Sequence, residues 1–287
     1  MLIDDRTARI LLAHFGEPGD EKIGAQVAQF GAIETLAKLR TRNSRFQTAQ
    51  SELELNKVVS EIMRMTAKSK SEILIPSDTC WPAPINDLDF AAPICLWVKG
   101  DLDLAELIDP SIAIVGARAA TSYGERVSSE LGSTLGEWGI TTISGAAYGI
   151  DAAAHRGSIA ADGKTIAVLA CGIDLAYPSA HSALLNRICE SGSVITEAPP
   201  GAPPLKHRFL TRNRIIAALS TQVVVVEAAL RSGSLSTANW ANAIGRKVWG
   251  VPGPITSATS AGVHLGIREQ SMAILMESTD LVSDLVL

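Results

Sequence analysis

The sequence predicts an α/β protein built on a doubly wound, mostly parallel sheet with a small helical domain ahead of it, and three observations lead there. From Ser111 onward, short β-rich apolar runs recur at Ile112–Val115, Ile140–Ile143, Ile166–Ala170, Val194–Thr196, Val223–Val226 and Val248–Val251. Amphipathic stretches of helical period lie between them, at Tyr123–Trp138, Ile150–Ala161, His181–Ser191, Arg214–Leu219 and Leu235–Ile244. The chain has 287 residues, of which 47% are hydrophobic and 19% charged, enough for one large packed domain plus a satellite. Strands alternating with helices imply a parallel sheet covered on both faces, and right-handed crossovers then wind it in both directions.

The segments before Ser111 follow from the same signals. Residues 1–65 read as a small helical domain: apolar positions recur at helical spacing through Ile10, Leu11 and Ala13, then through Ile33, Leu36, Ala37 and Leu39, with Val58, Ile62 and Met65 marking a third helix. Gly16, Pro18 and Gly19 punctuate the first of these. Residues 66–110 read as a connector with short strands at Ile73–Ile75 and Leu96–Val98, because Pro82, Pro84 and Pro93 oppose a long helix. Residues 111–287 form the doubly wound core.

Composition narrows the function classes. No run reaches the ~18 apolar residues of a membrane helix, and the opening Met-Leu-Ile-Asp-Asp lacks the basic end and apolar stretch of a signal peptide, so a cytoplasmic location without membrane association is expected. Cys80, Cys95, Cys171 and Cys189 are far apart and form no CxxC pair, which points to free thiols rather than to zinc or redox chemistry. The net charge of −5 argues at first against nucleic acid. Between Gly201 and Gly250, however, stand Lys206, Arg208, Arg212, Arg214, Arg231, Arg246 and Lys247 against the single acid Glu227, a basic island in an acidic chain.

In a doubly wound fold, ligands bind where loops leave the carboxyl ends of the strands. That rule selects Gly116–Ala120, Ser144–Asp151, Cys171–Tyr177, Glu197–Arg214 and Glu227–Ser236. The first loop has neither GxGxxG nor a P-loop, and the second strand ends without a ribose-binding acid, so no nicotinamide cofactor, and no other cofactor, is expected. Arg118 in that loop is placed to clamp a phosphate. Asp151 and His155 share a helical face, but two side chains are too few for a metal site and helix capping suits Asp151. The loop Arg231-Ser232-Gly233-Ser234 offers an arginine and hydroxyls at a helix N-terminus, an anion-binding geometry, and it lacks the GxSxG of a serine hydrolase.

The richest stretch runs from Pro199 to Arg214. Prolines stiffen an exposed approach, then Lys206, Arg208, Phe209, Arg212, Asn213 and Arg214 combine cations with one aromatic ring. Single-strand binders use these ingredients, cations along the backbone and a ring under a base. The same residues also suit a helix start with Phe209 in the core and a solvated charged face, and composition alone leaves both readings open.

Seven ordered segments from about Ser111 to Leu285 resemble the core of the DNA-processing protein A family (DprA, also called Smf). They are IAIVGAR from Ile112, SGAAYGIDAAAHRG from Ser144, GKTIAVL from Gly163, GIDLAYP from Gly172, TEAPPGAPP from Thr196, FLTRNRIIAALS from Phe209 and VVVEAALRSGSLST from Val224. The resemblance implies an extended Rossmann-like fold that binds single-stranded DNA and delivers it to the recombinase RecA in natural transformation, as a homodimer and without catalysis. It implies that Arg118 clamps phosphate, Lys206 contacts the backbone, Phe209 stacks on a base, and Arg212, Asn213 and Arg214 line the same pocket. Tyr148 stands where the family usually carries Lys or Arg, and a ring there can stack a base in place of the missing charge. His181 stands where Asn is usual, Ser260–His264 departs from the family's final-loop pattern, and no winged-helix tail is expected after Leu287. The competing reading is a nucleotide-processing enzyme such as a phosphoribohydrolase, with Glu197 or Glu227 as its carboxylate.

Overall fold

The computed structural model describes residues 3–48 and 51–283. The outer ends of the expected first and last segments, residues 1–2 and 284–287, lie outside the described residues. Four helices open the chain, α1 Asp5–Phe15, α2 Glu21–Phe30, α3 Ala32–Arg42 and α4 Glu52–Lys68. Each starts where a side chain or glycine allows it. Asp4 and Asp20 accept backbone N–H groups at the starts of α1 and α2, and Ser51 with Glu54 closes a capping box on α4. Their apolar faces close over Leu11, Leu12, Leu36, Phe46 and Leu55. Ile10 and Ile62 instead join the cluster around Trp97, Ala167 and Leu169, so the helical region is also packed against the sheet.

The strands are β1 Glu72–Leu74, β2 Leu96–Gly100, β3 Ser111–Val115, β4 Thr141–Ser144, β5 Thr165–Val168, β6 Ser193–Thr196, β7 Gln222–Val225, β8 Lys247–Gly250 and β9 Ala273–Ile274. They form one sheet in the order β1-β2-β6-β5-β4-β3-β7-β8-β9. Pairing is parallel from β6 across to β9, while β2 joins β6, and β1 joins β2, antiparallel. The fold is therefore Rossmann-like, and the segment expected as a connector extends its sheet at one edge. The remaining helices are α5 Leu104–Leu107, α6 Ser122–Glu137, α7 Ile150–Ala160, α8 Ser182–Ser191, α9 Lys206–Leu219, α10 Ser234–Ala243, α11 Ala261–Arg268 and α12 Asp280–Ser283. Burial on β3 alternates with the pleat: Ala113 and Val115 face the cluster under α9 and α10, whereas Ile112 and Ile114 face α6 and α7.

One expectation changes. The helix expected over Arg214–Leu219 begins at Lys206, so it takes in the basic stretch. The prolines end at Pro204 and nothing after Leu205 breaks a helix, so α9 propagates from the first residue free to adopt it. Strand β9 and helices α11 and α12 had no forecast. Two half-exposed residues on an edge carry no alternating signal, and α11 and α12 are only a few turns long.

Candidate functional site

The strand order reverses beside β3: β4, β5 and β6 follow on one side and β7 and β8 on the other. At the carboxyl ends of the strands flanking this switch point lies a cleft of about 590 Å³. The loops after β3, β4, β5, β6 and β7 and the helix α9 build it.

The loop after β3 brings Arg118, which is exposed. Glu227, at the end of β7, anchors that loop by accepting the Thr121 N–H at 2.9 Å and the Thr121 hydroxyl at 2.6 Å, with the Thr259 hydroxyl at 3.2 Å. The loop after β4 brings Ala147 and Asp151, and its Gly149 holds φ at +72° with no room for a Cβ against the Ala117 and Arg118 carbonyls. The loop after β7 brings Arg231, Ser232 and Ser234, fixed by the Asn213 amide donating to the Gly233 carbonyl at 2.9 Å.

Helix α9 forms the remaining wall with Lys206, Phe209, Asn213 and Ile216, which share one helical face. Arg212 reaches in beside them and is almost wholly buried, its guanidinium laid on Gly145, where any Cβ would collide with it. It donates to the Val168 carbonyl, and its Nε has no partner among the described residues. Burial lowers its pKa to about 10, against which the nearby Asp151 carboxylate works, so it remains a cation at neutral pH. Burial also pushes the Asp151 carboxyl above its ordinary range, with Arg212 opposing the shift. The same cleft carries a partly exposed layer. The Arg118 guanidinium carbon stands 4.6 Å from the centroid of the Phe209 ring, and Tyr177 packs against the same ring at 5.3 Å. The cleft lining thus carries Arg118, Lys206, Arg212 and Arg231 against the single carboxylate of Asp151.

Arg118, Lys206, Phe209, Arg212, Asn213, Arg231, Ser232 and Ser234 therefore converge on one cleft, as the crevice rule expected. Three candidates do not line it. Arg214 is 1% exposed and pairs with Glu197, its Nη2 2.6 Å from Oε2, while its Nε donates to the Ala91 carbonyl at 2.6 Å. Arg208 is turned to the opposite side of α9, bonded to Glu17 through Nε at 2.6 Å and Nη2 at 3.1 Å. Both corrections share one cause: a helix turns successive residues about 100° apart, so half of a basic stretch must face away from any one ligand. Tyr148, 47% exposed, lies just outside the lining and rests edge-on against His181 at 4.7 Å. The sequence reading missed Tyr177, although its loop was among those selected, because nothing local showed that it would meet Phe209. Asp151 sits inside the first turn of α7, where its carboxylate accepts the Ala147 N–H at 3.3 Å and faces the cleft. His155 is buried, bonds Thr165 at 2.7 Å and is held neutral by burial, its pKa falling to about 3. Among the described residues no group of three or more His, Cys, Asp or Glu could hold a metal, and no helix is long and apolar enough to cross a membrane.

Fold and site together define a Rossmann-like α/β protein whose switch-point cleft is cationic, floored by a buried arginine and faced by an aromatic layer. The chain belongs to the DNA recombination-mediator protein A family, whose model matches residues 72–286. A DprA relative from Mycobacterium tuberculosis is 41% identical over 283 residues, covering 92% of this chain and 72% of its own. The X-ray structure of DNA processing protein A from Streptococcus pneumoniae superposes with a TM-score of 0.82 at 30% identity, covering 99% of this chain and 98% of that one. DNA processing protein A from Helicobacter pylori, whose structure concerns its single-stranded DNA binding mode, gives a TM-score of 0.67 at 25% identity over 76% of this chain and 97% of its own.

Proposed function

We propose that the switch-point cleft binds single-stranded DNA, with Arg118, Lys206, Arg231 and the buried Arg212 taking phosphates and the Phe209–Tyr177 layer taking a base. The observation that carries this reading is that a half-exposed aromatic pair, with Arg118 against its ring, shares one cleft with a desolvated arginine. Phosphate oxygens match guanidinium donors, and every base offers a π face, so affinity is expected without sequence preference. The single-stranded DNA binding of the Helicobacter pylori relative supports the same assignment. Handing the strand to RecA, protecting it during transformation, acting in the cytoplasm and acting as a homodimer belong to this reading through the family. The sheet edge at β9, which pairs with no further strand among the described residues, has Ile274 46% and Met276 81% exposed beside it and suits a second copy.

The protein then works by binding rather than by catalysis. Glu197 and Glu227, the carboxylates a phosphoribohydrolase would need, are engaged in holding Arg214 and the Thr121 loop. Titration of a labelled oligonucleotide against salt, single strand beside duplex, tests the assignment. Single strands should bind more tightly, with affinity falling steeply as salt rises. Equal binding by wild type and the Arg118→Glu and Lys206→Glu variants would remove the cleft assignment, and release of free base from nucleoside monophosphate would restore the enzyme reading.

A further inference from the structure

Helix α9 begins in an electrostatically adverse way. Its N-cap is Leu205, which supplies no side-chain acceptor, and its first three residues are Lys206, His207 and Arg208. Cations at a helix N-terminus oppose the macrodipole, and the first N–H groups of α9 have no side-chain cap. Yet this turn carries Lys206 and Phe209, which face the cleft.

The anion that compensates comes from the N-terminal helical region. Glu17 follows α1, in the short link to α2, and its carboxylate spans the outer face of the α9 turn. It accepts from Arg208 Nε at 2.6 Å and Nη2 at 3.1 Å, and from His207 Nε2 at 2.8 Å. The Arg208 side chain is only 12% exposed, and its Nη1 also donates to the Pro203 carbonyl at 3.2 Å, tying the proline segment to the same point. Pro204, the next residue, lines the cleft. Gly19, two residues after Glu17, packs so closely on Thr211 and Arg214 that a Cβ would meet Thr211 at 2.5 Å. Burial raises the Glu17 carboxyl, but the hydrogen bonds and charges of Arg208 and His207 outweigh it and hold the group below its usual range, ionised at neutral pH.

We propose that Glu17 is a positioning residue for the cleft: by gripping His207 and Arg208 on the outer face of α9, the N-terminal helical region presets Lys206 and Phe209 on the inner face for an incoming strand. This rests on the single-strand reading of the cleft. It also fixes a sign. Simple electrostatics says that deleting a carboxylate near a polyanion site strengthens binding, whereas loss of a positioning contact weakens it.

The test uses the full chain and oligothymidylate, with Glu17→Gln, Arg208→Gln, the double variant and Arg118→Glu, each with its melting temperature. Glu17→Gln and Arg208→Gln are each expected to weaken binding roughly fivefold, at the low end of typical coupling between separate sites. The double variant should lose little more, because one contact is broken twice. The slope of log affinity against log salt should not change, since Arg208 touches no phosphate. Quenching of a 2-aminopurine placed in the strand, which reports stacking on Phe209, should fall in both variants, and Glu17→Asp should restore part of it. His207→Gln deletes only the exposed contact. A smaller loss is expected there, at an unchanged melting temperature, so the result does not depend on variants that unfold. Tighter binding by Glu17→Gln, or a salt slope lowered by about one in Arg208→Gln, would overturn the proposal, the first making Glu17 a competitor and the second making Arg208 a phosphate ligand. Unaltered binding in Glu17→Gln and Arg208→Gln together with loss in Arg118→Glu would overturn it while leaving the cleft in place. Unaltered binding in Arg118→Glu as well would remove the single-strand reading beneath it.

Discussion

The two faces of α9 use the same residue types for opposite ends. On the inner face, Lys206, Phe209 and Asn213, with Arg212 beside them, line the cleft, and the buried Arg212 Nε has no partner among the described residues. On the outer face, Arg208 and Arg214 are paired with Glu17 and Glu197, and the helix is joined through them to the N-terminal region and to the end of β6. An arginine is a ligand site where it meets solvent or a solitary carboxylate, and a structural joint where two carboxylate oxygens close on its fork. The difference is that charge on the inner face acts on affinity and charge on the outer face acts on stability and alignment.

The largest expected effect lies on the outer face. Arg214→Met leaves Glu197 buried without its partner and should cost about 3–5 kcal/mol of folding stability, readable as a lowered urea midpoint. Adding Glu197→Leu should recover most of that loss, and a single variant as stable as wild type would break the distinction between the faces. On the inner face, Phe209→Leu should leave the urea midpoint within about 1 kcal/mol of wild type while costing about 1–3 kcal/mol of oligonucleotide affinity, with the salt slope unaltered. Lys206→Gln should weaken binding more mildly and evenly across sequences, and lower the salt slope by about one, as measured by titration at several salt concentrations.

The smallest effect concerns pH. Asp151 is the cleft's carboxylate, already raised by burial, and a phosphate arriving nearby raises it further. The bound state then holds more protons than the free one, so affinity for oligothymidylate should rise modestly as pH falls from neutral toward the ordinary carboxylate range. Asp151→Asn should flatten that profile. A wild-type profile as flat as the variant's would separate Asp151 from the bound strand.

Much of the fold was legible because its signals are local. The runs at Ile112–Val115 and Val223–Val226 could hardly be anything but strands buried on both faces, and the crevice rule then pointed to the loops of Arg118 and Ser232 without coordinates. The start of α9 was misplaced because three basic residues and an absent cap are poor helix-start signals. Tertiary anions, Glu17 among them, override that weakness. Glu17 itself was invisible: it lies 191 positions from Arg208, and neither residue's neighbours in the chain announce the other. The Phe209 ambiguity between core and stack was likewise a question about which side of a helix faces the sheet.

Periodicity and apolar patterning by themselves determined the doubly wound sheet and the switch-point loops, since burial and hydrogen bonding constrain each short segment on its own, and the concentration of positive charge after Gly201 was plain from residue identity alone. Only the tertiary structure decided which of those charges stay available to a ligand. Availability depends on distant carboxylates, Glu17 and Glu197, closing on one side of a helix and leaving the other open, and the strength of an ion pair is set by separation and burial in space, not by spacing along the chain.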